Sequence, residues 1–206
     1  MMQYSSILAI GAHPDDLEYG CFGFLLKHLS HSSIHLYVGS LGSAGDPTTG
    51  MQRKSESLSA FDLLRPKSIA FREKAGVVQD DFHLILDELT DIIAKVKPEV
   101  ILTLGPHDSH QEHRLLFDIT SAAARRSRAS ILTYGILSNT LDFKPQLFVD
   151  ISEVYALKKQ ALRCHRSQAH RTYMTENYLD IFHSNTYASL HGLGPCEAFE
   201  IVRIFS

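Results

Sequence analysis

Residues 11–16 concentrate side chains that can bind a metal or move a proton. They read Gly-Ala-His-Pro-Asp-Asp and supply His13, Asp15 and Asp16. Imidazole nitrogens and carboxylate oxygens bind zinc, and a carboxylate can also act as a general base. Pro14 restricts its own backbone and that of His13, so His13 and Asp16 can converge on one point. Helix capping would explain one of the two aspartates, but not the whole set.

Residues 107–113 form a second polar run, with three histidines and two acids. His110 and His113 are three positions apart, so they share one face on the first turn of a helix. A solvated helix start is the ordinary explanation, but a second polar run at the same edge of a sheet weakens it. Two histidines with one aspartate would leave a metal position open to water, as in catalytic zinc sites. Fe(II) uses a similar set, so the residue types alone leave the metal undecided.

Both runs follow apolar segments that predict buried strands, residues 6–11 and 100–104. Further strands are predicted at residues 34–39, 68–71, 131–136, 148–151 and 199–205. Helices are predicted at residues 18–31, at 51–64, from a cap at Asp80 or Asp81 to Pro98, after His113, and from a cap at Ser152 to about residue 164. Residues 41–50 are predicted to form a loop.

This alternation predicts an α/β fold: a Rossmann-like, mostly parallel sheet with helices on both faces, in a single domain of residues 1–206. Ligands of open α/β sheets bind at the carboxyl ends of the strands, and both polar runs follow such ends. Segment 166–195 is polar and has no clear pattern, so it is predicted either to wall the active site or to serve an oligomer interface. Histidines in and beside it are His165, His170, His183 and His191.

Composition narrows the classes of partner. A formal net charge of −3 argues against nucleic acid, which favours a basic face. No apolar stretch is long enough to span a bilayer, and the first apolar run is too short for a signal peptide. The three cysteines form no CxxC pair, which indicates neither a disulfide framework nor a thiolate zinc site. We therefore expect a cytoplasmic protein without membrane insertion; its oligomeric state stays open.

The two polar runs together resemble a known family. Residues 12–16 match the AHPDD signature of the LmbE-like (PIG-L) zinc deacetylases, and residues 108–113 resemble their D-x-H-x-D-H signature. Weaker similarities extend over nearly the whole chain. They are an R-x-x-E start at residues 53–56, Lys158 with an H-x-S-Q stretch at 165–168, and an E-A-F at 197–199.

The resemblance implies a division of roles at the site. His13, Asp16 and His113 would bind the metal, and Asp15 would be the general base. Protonated His110 would stabilise the oxyanion, while either Asp15 or His110 could return a proton to the leaving amine.

The resemblance also implies substrate contacts. Arg53 is the matching position for contact with the sugar, and Asp80 is a second candidate contact, without the proline that usually precedes it. Glu112 replaces the usual aspartate, and its extra methylene is expected to change how it holds a neighbouring histidine. Leu17 stands where some members have a further acid.

The resemblance implies a zinc-dependent hydrolase that removes the N-acetyl group from a small N-acetylglucosamine-type conjugate by attack of a metal-activated water. Fe²⁺ or another divalent metal stays an alternative to Zn²⁺. Two other functions stay open: a non-catalytic, metal-containing sugar- or nucleotide-binding module, and a hydrolase of a non-sugar amide. An Fe(II) oxygenase is disfavoured because that chemistry normally uses a β-barrel. The chain lacks both the GxGxxG motif of dinucleotide binding and the GxSxG elbow of serine hydrolases.

Overall fold

The computed structural model describes residues 3–43, 45–184 and 186–205. Its strands are β1 (Ser6–Gly11), β2 (Ser33–Val38), β3 (Ser68–Phe71), β4 (Val100–Thr103), β5 (Ser130–Tyr134), β6 (Leu147–Asp150) and β7 (Cys196–Arg203). Its α-helices are α1 (Asp16–Gly20), α2 (Phe22–His28), α3 (Pro47–Phe61), α4 (Phe82–Val96), α5 (Gln111–Ala124), α6 (Tyr155–Leu162), α7 (Glu176–His183) and α8 (Thr186–Leu190). In this part of the chain, no helix has the length and apolar character needed to cross a membrane.

The described strands form one sheet in the order β3-β2-β1-β4-β5-β7-β6. Strands β1 to β5 are parallel, while β7 runs antiparallel to both β5 and β6. All of β4 and all but the first residue of β1 are buried, as expected for strands covered on both faces. The prediction of a mostly parallel α/β sheet is confirmed.

The chain reverses its direction across the sheet between β1 and β4. From β1 it proceeds through β2 to β3, then returns past β1 to β4 and continues to β5. Because parallel crossovers are right-handed, helices α1 to α3 cover one face, while α4 and α5 cover the other. Helix α4 packs on α5, and α6 contacts α1, α2 and α3. The carboxyl ends of β1 and β4, which precede the two polar runs, therefore meet at the switch point where such folds bind ligands.

Two helix predictions differ from the structure at their starts. The helix predicted at residues 18–31 is broken at Cys21, whose φ and ψ are −141° and 12°. Helix α2 begins again there because the distant Glu197 carboxylate accepts hydrogen bonds from its first N–H groups. Helix α3 begins before residue 51 because Asp46 caps it and a proline follows at the first helical position. The predicted loop 41–50 therefore ends at Asp46, and its residue 44 lies outside the described residues.

The capping predictions for Asp80 and Ser152 are wrong, whereas Asp81 occupies the N-terminal cap position of α4 but its side chain makes no capping hydrogen bond. Single 3₁₀ turns, Gln79–Asp81 and Ser152–Val154, precede α4 and α6, and no side chain caps either helix. The Asp81 carboxylate pairs with Arg72 instead. The last strand, β7, begins at Cys196 rather than residue 199, because pairing with β6 extends it at that end.

Candidate metal centre

Three ligand atoms from the two polar runs converge at the switch point. Asp16 begins α1, and its Oδ2 accepts hydrogen bonds from the backbone N–H groups of Ala12 and His13, at 2.9 and 2.8 Å. That oxygen lies 3.6 Å from both His13 Nδ1 and His113 Nε2, and the two nitrogens are 3.2 Å apart. The two backbone N–H groups thus fix the Asp16 carboxylate in a position that faces the two imidazoles. Helix capping does not explain its position.

Each imidazole also contacts a further carboxylate of its own. The contact is made by the outer nitrogen, which is the ring nitrogen not directed at Asp16 Oδ2. Glu112 Oε2 lies 3.1 Å from His13 Nε2, and Asp108 Oδ2 lies 2.8 Å from His113 Nδ1. A proton on each outer nitrogen, shared with its carboxylate, leaves a lone pair on each inner nitrogen. This arrangement is characteristic of metal-binding histidines. Glu112 therefore holds the histidine of the other polar run, a contact for which its extra methylene gives reach.

The electrostatics favour positive charge between these groups. Burial raises the pKa of Asp16, but the neighbouring His113 and His13 outweigh burial and hold it below its ordinary range. Burial likewise opposes the charged form of His13, yet hydrogen bonds with Asp16 and Glu112 raise its pKa to about 10. Tetrahedral zinc, with bonds of about 2.0–2.2 Å, separates its ligand atoms by roughly 3.3 Å. The observed separations and the nitrogen–oxygen donor set fit such an ion.

His110 provides an overlapping set of ligand atoms. One nitrogen of each of His13, His110 and His113 lies within 4.8 Å of the others. The His110 ring stacks on that of His113 with a centroid distance of 4.4 Å, and its Nδ1 accepts a hydrogen bond from the Glu112 N–H at 3.3 Å. Burial and the neighbouring His113 and His13 lower the pKa of His110, which favours its neutral form rather than the protonated form that the resemblance implied. A neutral ring that accepts at Nδ1 carries its proton on Nε2.

Asp15 has an unusual backbone conformation beside this cluster. Its φ is 111°, in a region that non-glycine residues seldom occupy, and its side chain caps no helix. Its Oδ1 accepts a hydrogen bond from Arg53 Nη2 at 3.2 Å, and among the described residues nothing bonds to Oδ2. Burial raises the pKa of Asp15 and the Arg53 charge opposes that rise. The two adjacent aspartates, Asp15 and Asp16, therefore contact different partners.

The structure does not bring both predicted substrate contacts to the site. Arg53 lines the cavity, but its guanidinium also donates to the carbonyls of Gly42 and Pro14, at 2.6 and 2.8 Å. Gly42 has a φ of 57°, and a Cβ there would lie 2.6 Å from Arg53 Nη1, so this contact favours glycine. Asp80 is exposed on its 3₁₀ turn and does not line the cavity.

The ligand atoms face a cavity of about 630 Å³. Besides Asp15, Asp16, Arg53 and the three histidines, its lining includes Tyr19, Gly42, Ala75, Gly76, Glu112, Ile136, Leu137, Ser138, Gln168, Arg171 and Tyr173. Segment 166–195 therefore walls the site, one of the two roles predicted for it. Its histidines do not line the cavity: His165 bonds to the buried Glu18, and His183 bonds to the Cys196 carbonyl.

Sequence reasoning missed several residues of the site. Asp108 lay in the second signature without a role, although a carboxylate behind a ligating histidine is a general expectation. Ser138, whose Oγ donates to Asp108 Oδ2 at 2.9 Å, follows β5 and has no local signal. Arg171 and Tyr173 lie in the segment without a pattern, so only the fold reveals them.

Comparison with known proteins decides the family. Residues 8–124, more than half of the chain, match the family described as GlcNAc-PI de-N-acetylase, PIG-L. The chain belongs to this family. As a PIG-L protein it is an amide-hydrolysing, metal-dependent enzyme, as the resemblance implied.

Relatives agree with this assignment, and a solved structure of a deacetylase shares the fold. The chain is 33% identical to a deacetylase of Escherichia coli K12, YaiS, over 78% of this chain and 90% of that protein. It is 30% identical to a probable N-acetyl-α-D-glucosaminyl L-malate deacetylase 2 of Bacillus subtilis, over 79% and 82%. The N,N′-diacetylchitobiose deacetylase of Pyrococcus horikoshii superposes with a TM-score of 0.77 at 23% identity, over 97% and 84% of the two chains.

The fold by itself does not define the reaction. The 4-carboxy-2-hydroxymuconate hydratase GalB of Pseudomonas putida superposes with a TM-score of 0.79 at 18% identity, over 98% of both chains. At that identity the likeness shows the fold alone, so the reaction must be argued from the site.

Proposed function

We propose that this PIG-L protein is a zinc-dependent N-deacetylase of a small N-acetylglucosamine-type conjugate. One observation carries the proposal: His13 Nδ1, His113 Nε2 and Asp16 Oδ2 lie within 3.6 Å of one another, with Asp15 beside them in a cavity. Three such ligands leave a position open to water or substrate, as catalytic zinc requires.

The set with Asp16 is preferred over the set of three histidines. Its separations of 3.2–3.6 Å are close to those of a tetrahedral site, whereas the ligand atoms of the histidine set lie only within 4.8 Å of one another. His110 also lacks a carboxylate at its second nitrogen, which accepts a backbone N–H instead. These contacts support His110 as a group that faces the substrate rather than the metal.

In this mechanism Asp15 transfers the proton and His110 donates a hydrogen bond. Zinc in that position supplies a Lewis acid that acidifies water and polarises a carbonyl oxygen. Asp15 accepts the proton of the attacking water at Oδ2, the oxygen that Arg53 does not hold. His110 donates a hydrogen bond from Nε2 to the oxygen that becomes negative as the tetrahedral carbon forms. When the C–N bond breaks, Asp15 returns its proton to the amine, and acetate is the other product.

The sugar part of the proposal has separate support. A cavity of about 630 Å³ lies within the range of small-molecule sites and accommodates an amino sugar with a small substituent. Arg53 has an Nη1 proton that its bond to Gly42 does not use, and we assign it a contact with a sugar hydroxyl. The names of the relatives refer to glucosaminyl malate and diacetylchitobiose. We retain Asp80 only as a contact for a conjugate that extends beyond the cavity.

We also propose that the chain forms a single catalytic domain and that it is located in the cytoplasm. The whole chain is taken as one catalytic domain, and its hydrophobic core includes residues from Tyr4 to Phe199. Cys21 and Cys164 are free thiols, which suits a reducing compartment such as the cytoplasm.

A substrate panel tests the proposal. Zinc-loaded enzyme is offered neutral and charged N-acetylglucosamine conjugates and a matched set of N-acetyl amino acids, and release of free amine is measured. We expect release from the sugars and none from the amino acids. Turnover confined to the amino acids would retain the hydrolase and reject the sugar. No turnover by an enzyme that has bound its metal would support a binding protein.

A further inference from the structure

Arg171 is a cationic side chain of the cavity wall whose terminal nitrogens are uncommitted. It lines the cavity and is also exposed, so it lies at the mouth. Among the described residues, no hydrogen bond joins its Nη1 or Nη2 to the protein. The other arginine of the described lining, Arg53, is mostly buried and donates to three protein oxygens.

Contacts on the Nε side of the Arg171 guanidinium hold it in place. Its Nε donates to Gln168 Oε1 at 2.8 Å, and Gln168 is 6% exposed. Gln168 in turn donates to Ser167, whose hydroxyl and backbone N–H both bond to Glu56 of α3. The guanidinium also lies 5.9 Å from the centre of the Tyr173 ring. This chain of contacts fixes the Nε edge of the guanidinium and leaves its two terminal amino groups for a ligand.

Charge is distributed unevenly along the cavity. The carboxylates of Asp15, Asp16 and Glu112 surround the metal end, while Arg171 lies at the mouth. Among the described residues no carboxylate pairs with Arg171, so its charge attracts an anionic group of a substrate to the mouth. A guanidinium pairs with a carboxylate or phosphate through two parallel hydrogen bonds. A conjugate with an acidic group far from its acetamide would therefore enter in the productive direction.

We propose that Arg171 binds an anionic group, a carboxylate or a phosphate, on the part of the amino-sugar conjugate remote from the acetamide. The inference rests on the proposed deacetylation, and it narrows the substrate class to acidic conjugates. Arg171 is a specificity-determining residue in this scheme and takes no part in bond breaking.

The test compares three N-acetylglucosamine derivatives: the neutral methyl glycoside, the carboxymethyl glycoside and the 2-phosphoethyl glycoside. Wild-type enzyme should favour one or both acidic compounds, and the one favoured identifies the acidic group. In Arg171→Gln, kcat/KM for the favoured acidic compound should fall roughly 10- to 100-fold through KM, because a charged hydrogen bond is lost. Its kcat/KM for the methyl glycoside should fall far less, because that compound carries no anionic group for Arg171 to bind. Added salt should raise KM for the acidic compound alone.

Arg166→Gln is the matched control, since it removes the same charge from an exposed arginine that does not line the cavity. It should behave as wild type on all three compounds. Equal use of neutral and acidic compounds by wild type, or an Arg171→Gln variant with unchanged KM, overturns the inference and leaves deacetylation intact. Failure of all three compounds to release amine overturns the proposed function, and the inference with it.

Discussion

Adjacent acidic residues at the end of β1 make different contacts. Asp16 turns back toward the loop and accepts two backbone N–H groups, so one of its oxygens is fixed against His13 and His113. Asp15 is turned away by its positive φ and is held by Arg53. In the proposed mechanism Asp16 binds the metal and Asp15 accepts the proton, so substitutions at this scale should separate metal binding from catalysis.

His13→Ala and His113→Ala should each lose most of the bound metal. Each removes one of three protein ligands whose atoms converge within 3.6 Å. Elemental analysis after dialysis measures the metal content. His107→Ala is the control, because His107 is exposed and does not line the cavity. Full retention of metal in both ligand variants would refute this site.

Asp15→Asn should keep its metal and lose most of its activity. Loss of a general base typically costs about 10²–10⁴ in rate, and asparagine can still accept the Arg53 hydrogen bond. Steady-state kcat and metal content are measured on the same preparation. Activity within a few-fold of wild type would show that another group takes the proton.

Glu112→Ala should weaken metal binding by about 10- to 100-fold, the usual effect of removing a carboxylate behind a ligating histidine. Glu112 holds both His13 Nε2 and the Val77 N–H, so its loss frees the imidazole and the loop beside it. Competition with a chromogenic chelator measures the affinity. Asp118→Ala removes an exposed acid from the same helix and should bind metal as wild type does. An unchanged affinity in Glu112→Ala would mean that His13 needs no such partner.

At the scale of elements, two residues from the weaker family similarities, Lys158 and Glu197, connect the helices around the site. Lys158 of α6 pairs with Glu197 of β7 and donates to the Tyr19 carbonyl of α1, with both charged side chains fully buried. The same Glu197 accepts the first N–H groups of α2. Since α1 begins with Asp16, this buried pair supports the helix that carries a ligand.

Lys158→Met should therefore cost about 3–5 kcal/mol of unfolding free energy, because it leaves the Glu197 charge buried without its partner. Urea unfolding measures the loss. The double variant Lys158→Met/Glu197→Gln should recover part of it, since no charge is then left buried. Lys159→Met, which removes a neighbouring lysine with a partly exposed partner, should cost less than about 1 kcal/mol. Equal losses in the two single variants would mean that burial of the pair has no special effect.

At the scale of the whole molecule, the metal centre joins the segments on the two sides of the switch point. His13 and Asp16 follow β1, whereas His113 lies in the first turn of α5 after β4. Among the described residues, the strands from β1 to β3 extend one way across the sheet and those from β4 the other. A bound ion would connect these halves, and it would stabilise the folded chain over the unfolded chain, which does not present the site.

Zinc should therefore raise the melting temperature. At a free concentration 100 times its Kd, the gain is about 2.7 kcal/mol, or roughly 5–10 °C for a chain of this size. Scanning calorimetry of chelator-treated protein, with and without added zinc, gives the shift. The His13→Ala/His113→Ala double variant should show almost none. An equal shift in that variant would locate the stabilising ion elsewhere.

Much of the fold, and the proximity of His13, Asp16 and His113, could be predicted from the sequence because their signals are local. Apolar runs and helical spacing depend on neighbouring residues, and they predicted β1, β4 and the parallel sheet. His13 and Asp16 are three positions apart within one turn. The second run was predicted to precede a helix, and in the structure that helix already begins within the run, at Gln111. The rule that parallel strands end at one edge then predicts that the runs meet.

The tertiary structure alone decided the contacts between distant parts of the chain. The break before α2 depends on Glu197, which lies far along the chain in β7. Glu112 reaches the histidine of the other polar run, and Arg171 enters the cavity from a segment without a pattern. Asp80, which the family resemblance marked as a contact, lies outside the cavity. Such placements follow from strand order and helix packing, which bring residues together irrespective of their separation in sequence.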